Sequence, residues 1–277
     1  MIPLTLLFWN TRGRVEVSEL AELARERSVD VLILAEFGGT SVALLEQLNL
    51  EGHARFHLPV NHSPRLTFVV ASPSNRFVSL HDSSSVAVRH FRPPIGEDIL
   101  IVALHLPSKM YLTSDDQALL ATRTTQLIDR FESRIGHTRT IVIGDFNMNP
   151  FEPGVVGSEG FHAVMAQSIA AKGDRTVVGE KRRFFYNPMW SLLGDNTPGP
   201  PGTYYYPSSS PITYFWNTFD QVLLRPQLAK NFEREDITVI AKVGRRSLLT
   251  ASGIPDESMS DHLPICIMLR VEEFNNG

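Results

Sequence analysis

Thr140-Ile141-Val142-Ile143-Gly144-Asp145-Phe146-Asn147 is the stretch from which the rest of the chain can be read. Its apolar run is too short for a helix and continuous rather than alternating, the pattern of a strand buried on both faces. The run ends in a glycine, which allows close approach of another backbone. An aspartate and an asparagine follow two positions apart, and on an extended chain such a pair projects to one side. A carboxylate abutting a buried strand is costly unless it is paired or metal-bound.

The same pattern recurs outward from this strand. Residues 4–10, 31–36, 66–71, 99–105, 219–224 and 263–269 are short runs rich in Val, Ile, Leu and Phe, and read as buried strands. Helical spacing appears over 15–27, through Leu20, Leu23, Ala24 and Arg27, and over 114–134, through Leu120, Leu127, Ile128 and Phe131. The second helix opens on Ser114-Asp115-Asp116-Gln117, a capping box. Strands outnumber helices, so the expectation is a mixed α/β chain built on a sandwich of two sheets. Over 154–216 the pattern dissolves into Gly, Pro and aromatics, including Phe184-Phe185-Tyr186 and Tyr204-Tyr205-Tyr206; this reads as a long surface region whose rings must still find cover. No repeat or composition break divides the chain, and one domain over 1–277 is expected.

Composition bounds the chemistry. The 277 residues carry 26 Lys+Arg against 30 Asp+Glu, a net charge of −4, with 43% hydrophobic residues, which excludes fibrous and disordered classes. A single cysteine, Cys266, excludes an internal disulfide and a cysteine-built zinc site, so any metal is held by oxygen or imidazole. The mild acidity argues against a protein that grips nucleic acid through its whole surface. No apolar run reaches the ~20 residues of a membrane span and the N-terminal stretch lacks the features of a secretory leader, so a cytoplasmic location is expected.

Phosphate-cradling, dinucleotide-binding, zinc-protease and serine-hydrolase motifs are all missing. What remains is a set of polar residues at strand ends: Asn10, Glu36, His105, Asp145 with Asn147, Asp220, and Asp261-His262. Singly, each has an ordinary explanation: turn chemistry for Asn10, a solvated carboxylate for Glu36, a satisfied core imidazole for His105, a turn cap for Asp220. Six such strand ends together point to one convergent site.

The ordered series WN, LxE, LHLPS, GDFN, FDQVLL and SDHLP, from Asn10 to His262, resembles the deoxyribonuclease I-like endonuclease/exonuclease/phosphatase superfamily. The resemblance implies a four-layer α/β sandwich, two central mixed sheets flanked by helices, with the active site at one edge. It implies Glu36 as the principal ligand of Mg²⁺ (or Mn²⁺), with Asn10 and Asp261 beside it. Asp145 and Asn147 match the pair that orients the attacking water, His262 the imidazole on the scissile phosphate, Asp220 the carboxylate that fixes its tautomer, and His105 a second phosphate-side imidazole. Two positions depart from the family pattern. Ala35 stands where a Gln is usual, so one supporting hydrogen bond is expected to be missing or replaced, and Thr218-Phe219 precede Asp220 in place of an Arg-led pair.

The implied activity is metal-dependent hydrolysis of a phosphodiester by in-line water attack, with a nuclease acting on DNA as the leading reading. Lys109, Arg123 and the run Lys181-Arg182-Arg183, beside Phe184 and Phe185, are the residues expected to follow a phosphate backbone. The alternatives are a phosphatase or phosphodiesterase on a small or lipid ester of the phosphoinositide or sphingomyelin type, and a silent binding module of the same fold. Protein partners do not follow from the residues.

Overall fold

A computed structural model describes residues 2–50, 55–110, 112–196 and 198–271. Its apolar runs pair into two large sheets. The first contains β1 (Ile2–Asn10), β2 (Val31–Ala35) and β3 (Leu66–Val70), extended beyond β1 by Ile265–Val271 and Ile237–Val239. The second runs through β4 (Phe77–Asp82), β5 (Val86–Phe91), β6 (Ile99–His105) and β7 (Thr140–Asp145), then Asp220–Leu224, Phe185–Tyr186 and Ala163–Val164.

Each sheet holds a parallel pair joined through a helix. β1 and β2 are parallel, with α1 (Val17–Glu26) between them in sequence, and β6 and β7 are parallel around α3 (Ser114–Ile135), the helix that follows α2 (Ser41–Leu50). A parallel crossover brings both strands out at the same sheet edge. Asn10 therefore lies opposite Ala35, one residue before Glu36, and His105 lies opposite Asp145.

The layers follow from alternation along β6. Ile99, Ile101 and Ala103 join the large core that contains residues of both sheets, together with Leu20 and Leu23 of α1 and Leu44 and Leu48 of α2. Leu100, Val102 and Leu104, the opposite face, pack with Ala121, Ile128 and Phe131 of α3. Strands this apolar on both faces need cover on both, and the result is a four-layer α/β sandwich. Among the described residues, no helix is long and apolar enough to cross a membrane.

The structure corrects several expectations. α3 is capped one residue earlier than expected, by Thr113, whose hydroxyl accepts from the Asp116 N–H while the Asp116 carboxylate accepts from the Thr113 N–H. The sequence pattern does not mark β4, β5 or α2. β4 and β5 hide because His81, Arg89 and His90 break their apolar pattern, yet Arg89 is fully buried, bonded to Asp82 and Asn61 at 2.6 Å each and lying 4.5 Å over Phe68. The aromatic stretch over 154–216 contributes strands to the second sheet and buries Phe161, Phe184, Phe185 and Met189, so it is only partly surface.

Gly144 is the one backbone position on which the junction of β6 and β7 turns. Its φ is +152°, and a Cβ there would sit 2.1 Å from the Leu104 carbonyl oxygen. Gly144→Ala is expected to lower the unfolding free energy by about 3 kcal/mol or more, from backbone strain and overpacking together. An unchanged denaturant midpoint would show that the close approach is not obligatory.

Candidate active site

Asp145 is the hub of the sheet edge. Its Oδ1 accepts the Asn147 N–H at 2.8 Å, and its Oδ2 accepts from Asn10 Nδ2 at 3.1 Å. Asn10 ends β1 of the first sheet and Asp145 ends β7 of the second, so this bond spans the two sheets. His105 Nε2 lies 3.9 Å and His262 Nε2 4.0 Å from the same Oδ2. The Asp145 carboxyl is pushed up by burial, against the pull of the His262 charge.

His262 is held from both sides. Its Nδ1 meets Asp220 Oδ2 at 2.8 Å, its carbonyl accepts from Trp9 Nε1 at 2.9 Å, and its backbone N–H donates to Ser260 Oγ at 3.1 Å. Ser260 in turn donates to the Asn10 carbonyl at 2.7 Å, which ties the segment before the last strand to the end of β1. Burial alone would lower the imidazole pKa, but Asp220, Asp145 and Asp261 outweigh it and raise it to about 10, so the ring is charged at neutral pH.

Glu36 sits at the open side of the edge. Its carboxylate oxygen is 3.2 Å from both His105 Nε2 and Arg65 Nη2. The hydrogen bond from His105, opposed by burial and aided by the charges of His105 and Arg65, holds its pKa at about 2. Glu36 also has a left-handed backbone, φ 50°, as does Asn147. The conformation is over-determined: the Glu36 carbonyl accepts from the Gly13 N–H at 2.7 Å and the Thr11 hydroxyl at 2.8 Å, and its own N–H donates to the Arg65 carbonyl at 3.2 Å. Strained non-glycine backbone of this kind concentrates where side chains must be aimed. Asn147 is fixed likewise, its amide donating to the Leu106 carbonyl and its carbonyl accepting from Gln117 of α3, both at 2.8 Å.

Seven of the residues expected at the site, Asn10, Glu36, His105, Asp145, Asp220, Asp261 and His262, lie at this edge, with Asn147 immediately behind it. Asp261 pairs with Arg12 at 3.1 Å. Among the described residues, Asp145, Asp220 and His262 are the group whose ligand atoms lie within 4.8 Å of one another, and they could hold a metal ion.

The basic residues divide. Lys109 is at the edge, its ammonium paired with Glu152 and 5.6 Å over the Phe219 ring. Arg123 is exposed on α3, and no contact among the described residues brings it to the edge. The run Lys181-Arg182-Arg183 is not brought to the site at all. Arg183 pairs at 3.1 Å with Glu132, which also binds the buried Arg225 at 2.8 Å, and Arg225 follows Leu224 at the end of its strand remote from Asp220. Arg182 meets Glu159 at 3.0 Å and Lys181 lies 3.9 Å from Asp174, so acidic partners neutralise the run where it stands. Arg12, Arg65 and Ser260 also stand at this edge, and no sequence pattern marks them as site residues. Arg12 lies in the turn after β1 and Arg65 directly precedes β3, and an isolated Arg in a loop has no pattern that marks it.

The sequence matches no curated protein. Solved structures share the fold at low identity. Truncated Caenorhabditis elegans TDP2 aligns with a TM-score of 0.58 at 14% identity over 97% of this chain and 98% of that one. D. rerio TDP2 complexed with single strand DNA product gives 0.55 at 15% over 98% and 100%. The human Nocturnin catalytic domain with bound sulfate gives 0.51 at 15% over 98% and 95%. The model of the endonuclease/exonuclease/phosphatase family matches residues 7–262, so the chain belongs to that family.

Proposed function

We propose that the chain is a Mg²⁺-dependent phosphoesterase that hydrolyses a phosphodiester of DNA by in-line attack of water. The observation that carries this reading is the juxtaposition of a buried carboxylate, Asp145, with a buried charged imidazole, His262, 4.0 Å apart beside the half-exposed Glu36. A base and a cationic hydrogen-bond donor facing one small volume suit water activation on one side and stabilisation of phosphoryl charge on the other.

The donor set fits a hard divalent ion. Oxygen atoms dominate it, and Asp220 Oδ1 is buried with no hydrogen-bond partner among the described residues. His262 is close enough to Asp145 and Asp220 to complete a ligand trio, but its Nδ1 is already engaged by Asp220 and its Nε2 faces Asp145. Glu36, with Asn10 and Asp261, is assigned as the Mg²⁺-holding set on the resemblance to the family, in keeping with an ion that takes few carboxylates and retains waters. An ion held by these residues would supply charge to offset that of the phosphoryl oxygens and the leaving group.

The protein groups do the rest. Asp145, fixed by the Asn147 N–H and by Asn10, orients the attacking water and takes its proton, and its upward shift moves it toward the neutral range in which a base works best. His262 donates through Nε2 to a phosphoryl oxygen while Asp220 keeps Nδ1 engaged. His105, between Glu36 and Asp145, is the second donor. Arg12, Arg65 and Lys109, each about two-fifths exposed at the edge, supply the cations that the 181–183 run does not. The DNA reading is supported by these cations and by the single-stranded DNA product held by D. rerio TDP2.

Glu36→Ala and His262→Ala are each expected to lower Mg²⁺-dependent hydrolysis by roughly 10²-fold or more with the fold intact by circular dichroism. The assay is cleavage of plasmid, single-stranded DNA, RNA and a phosphoinositide panel, with Mg²⁺ and with chelator. Retained activity in either variant would sink the assignment, and hydrolysis of phosphoinositides alone would move the substrate class.

A second expectation concerns pH. Because the folded pKa of His262 is raised to about 10 from an ordinary 6.5, the stability that its charge contributes is full below pH 6.5 and is lost as pH rises through 10. Asp220→Asn removes the main partner of that charge. The gap in denaturation midpoint between wild type and this variant should be widest near pH 6 and close toward pH 10; a gap that stays constant would refute the charged-imidazole assignment.

A further inference from the structure

Arg65 has two duties at this edge, and one guanidinium cannot meet both at once. It pairs with the Glu36 carboxylate, and it is one of the cations that remain to meet a phosphate. Strand register sets the first duty. Ala35 is paired with Leu66 across β2 and β3, so Glu36 and Arg65 face each other one step further on, and the Glu36 N–H donates to the Arg65 carbonyl at 3.2 Å. The same residue thus holds the backbone of Glu36 and, through Nη2, its Oε1 at 3.2 Å.

Glu36 Oε1 is crowded. His105 Nε2 also stands 3.2 Å from it, and Arg65 Nη2 and His105 Nε2 are themselves 3.5 Å apart. A cation that took this oxygen as a ligand would meet both groups at hydrogen-bond distance, and at least one of them has to leave. The two differ in freedom. The His105 side chain is 4% exposed at the end of β6, whereas that of Arg65 is 42% exposed on a long rotatable stem, so Arg65 is the group that can move. Its backbone need not follow. Asn61 donates through Nδ2 to the Leu66 carbonyl at 2.7 Å and accepts at Oδ1 from the buried Arg89 at 2.6 Å, which pins the chain on either side of 62–65.

The other carboxylates of the edge are answered in the same way, Asp261 by Arg12 at 3.1 Å and Asp220 by His262 at 2.8 Å. With these acids already carrying a cation, a divalent ion gains little by arriving alone. A phosphodiester lifts that obstacle, because its negative charge offers a displaced guanidinium a partner of matching geometry.

We propose that Arg65 is an exchangeable counter-ion of Glu36: it leaves the carboxylate when a divalent cation binds there and moves to a phosphoryl oxygen of the substrate, so that cation and phosphodiester bind cooperatively. No covalent bond changes and no proton moves; only the partners of two anions are exchanged. Coupling of this kind is reciprocal, each ligand raising the affinity for the other by the same factor. The proposal rests on the phosphoesterase reading, with Glu36 as a metal ligand, and adds to it the coupling between the two ligands and the residue that imposes it.

The test reads binding apart from chemistry. Free Mn²⁺ is counted by electron paramagnetic resonance at low ionic strength for wild type, Arg65→Ala, Arg65→Lys and Glu36→Ala, with and without dimethyl phosphate, a diester too inert to be consumed during the measurement. Without the diester, Arg65→Ala should bind Mn²⁺ about 5-fold more tightly than wild type, and Arg65→Lys should fall between the two. Wild type should gain Mn²⁺ affinity when the diester is added, and Arg65→Ala should gain less. In steady-state cleavage of bis(p-nitrophenyl) phosphate, Arg65→Ala should need less metal for its half-maximal rate and yet show a higher KM for the diester. Unchanged or weaker Mn²⁺ binding in Arg65→Ala, or equal gains with the diester in both proteins, would overturn the exchange. If no diester is hydrolysed while the Mn²⁺ differences hold, the exchange stands and the hydrolase reading fails. If Glu36→Ala binds Mn²⁺ as wild type does, the ion is held elsewhere and the exchange fails, whatever the hydrolysis assay shows.

Discussion

The hydrogen bond from Asn10 to Asp145 joins the last residue of β1 to the last residue of β7, and so joins the two sheets where the chemistry gathers. A carboxylate as buried as that of Asp145 would be intolerable alone, because removing an ion from water costs more than one contact returns. It is tolerated because Asn10, the Asn147 N–H and the nearby imidazoles of His105 and His262 surround it, and those groups come from both sheets and the segment before the last strand. The alignment of sheet upon sheet is thus coupled to the electrostatics of the edge. A slip of one strand by a residue would turn the carboxylate to the other face and leave it unpaired.

The same economy runs outward from the hub. Asp220 answers the charge of His262, His105 and Arg65 answer Glu36, and Arg12 answers Asp261. Each group is both a site residue and another's counter-charge, which is why single replacements are not expected to act independently. The left-handed backbones of Glu36 and Asn147 add a conformational cost at the same edge, met by hydrogen bonds from Gly13, Thr11 and Gln117 that serve no other evident purpose. Stability given up here is recovered in the continuous core that fills the space between the sheets.

Much of this was legible residue by residue. Strands with no polar interruption, such as Ile99–His105 and Thr140–Asp145, announce themselves because both faces are buried and period-2 alternation is unnecessary. β5 does not, since Arg89 interrupts it, and only the structure shows that Asp82 and Asn61 make a buried arginine affordable. The run Lys181-Arg182-Arg183 misleads for the converse reason. Its composition is that of a phosphate-binding patch, but Asp174, Glu159 and Glu132, from distant parts of the chain, meet it at the far end of the sheet.

Sequence by itself determined the family, the two-sheet class and the identity of the polar residues at the strand ends, because burial dictates an apolar run and every polar residue that ends one must have a purpose. Tertiary structure alone decided which of those residues meet and that Asp220, Asp145 and Asp261 gather around His262 and raise its pKa. Asn10 and Asp145 are 135 residues apart, and His262 is 42 from Asp220. It also decided that Arg12 and Arg65 rather than the basic run face the edge. Such pairings depend on strand register and on sheet-to-sheet contact, which are properties of the whole packed core and not of any local window of residues.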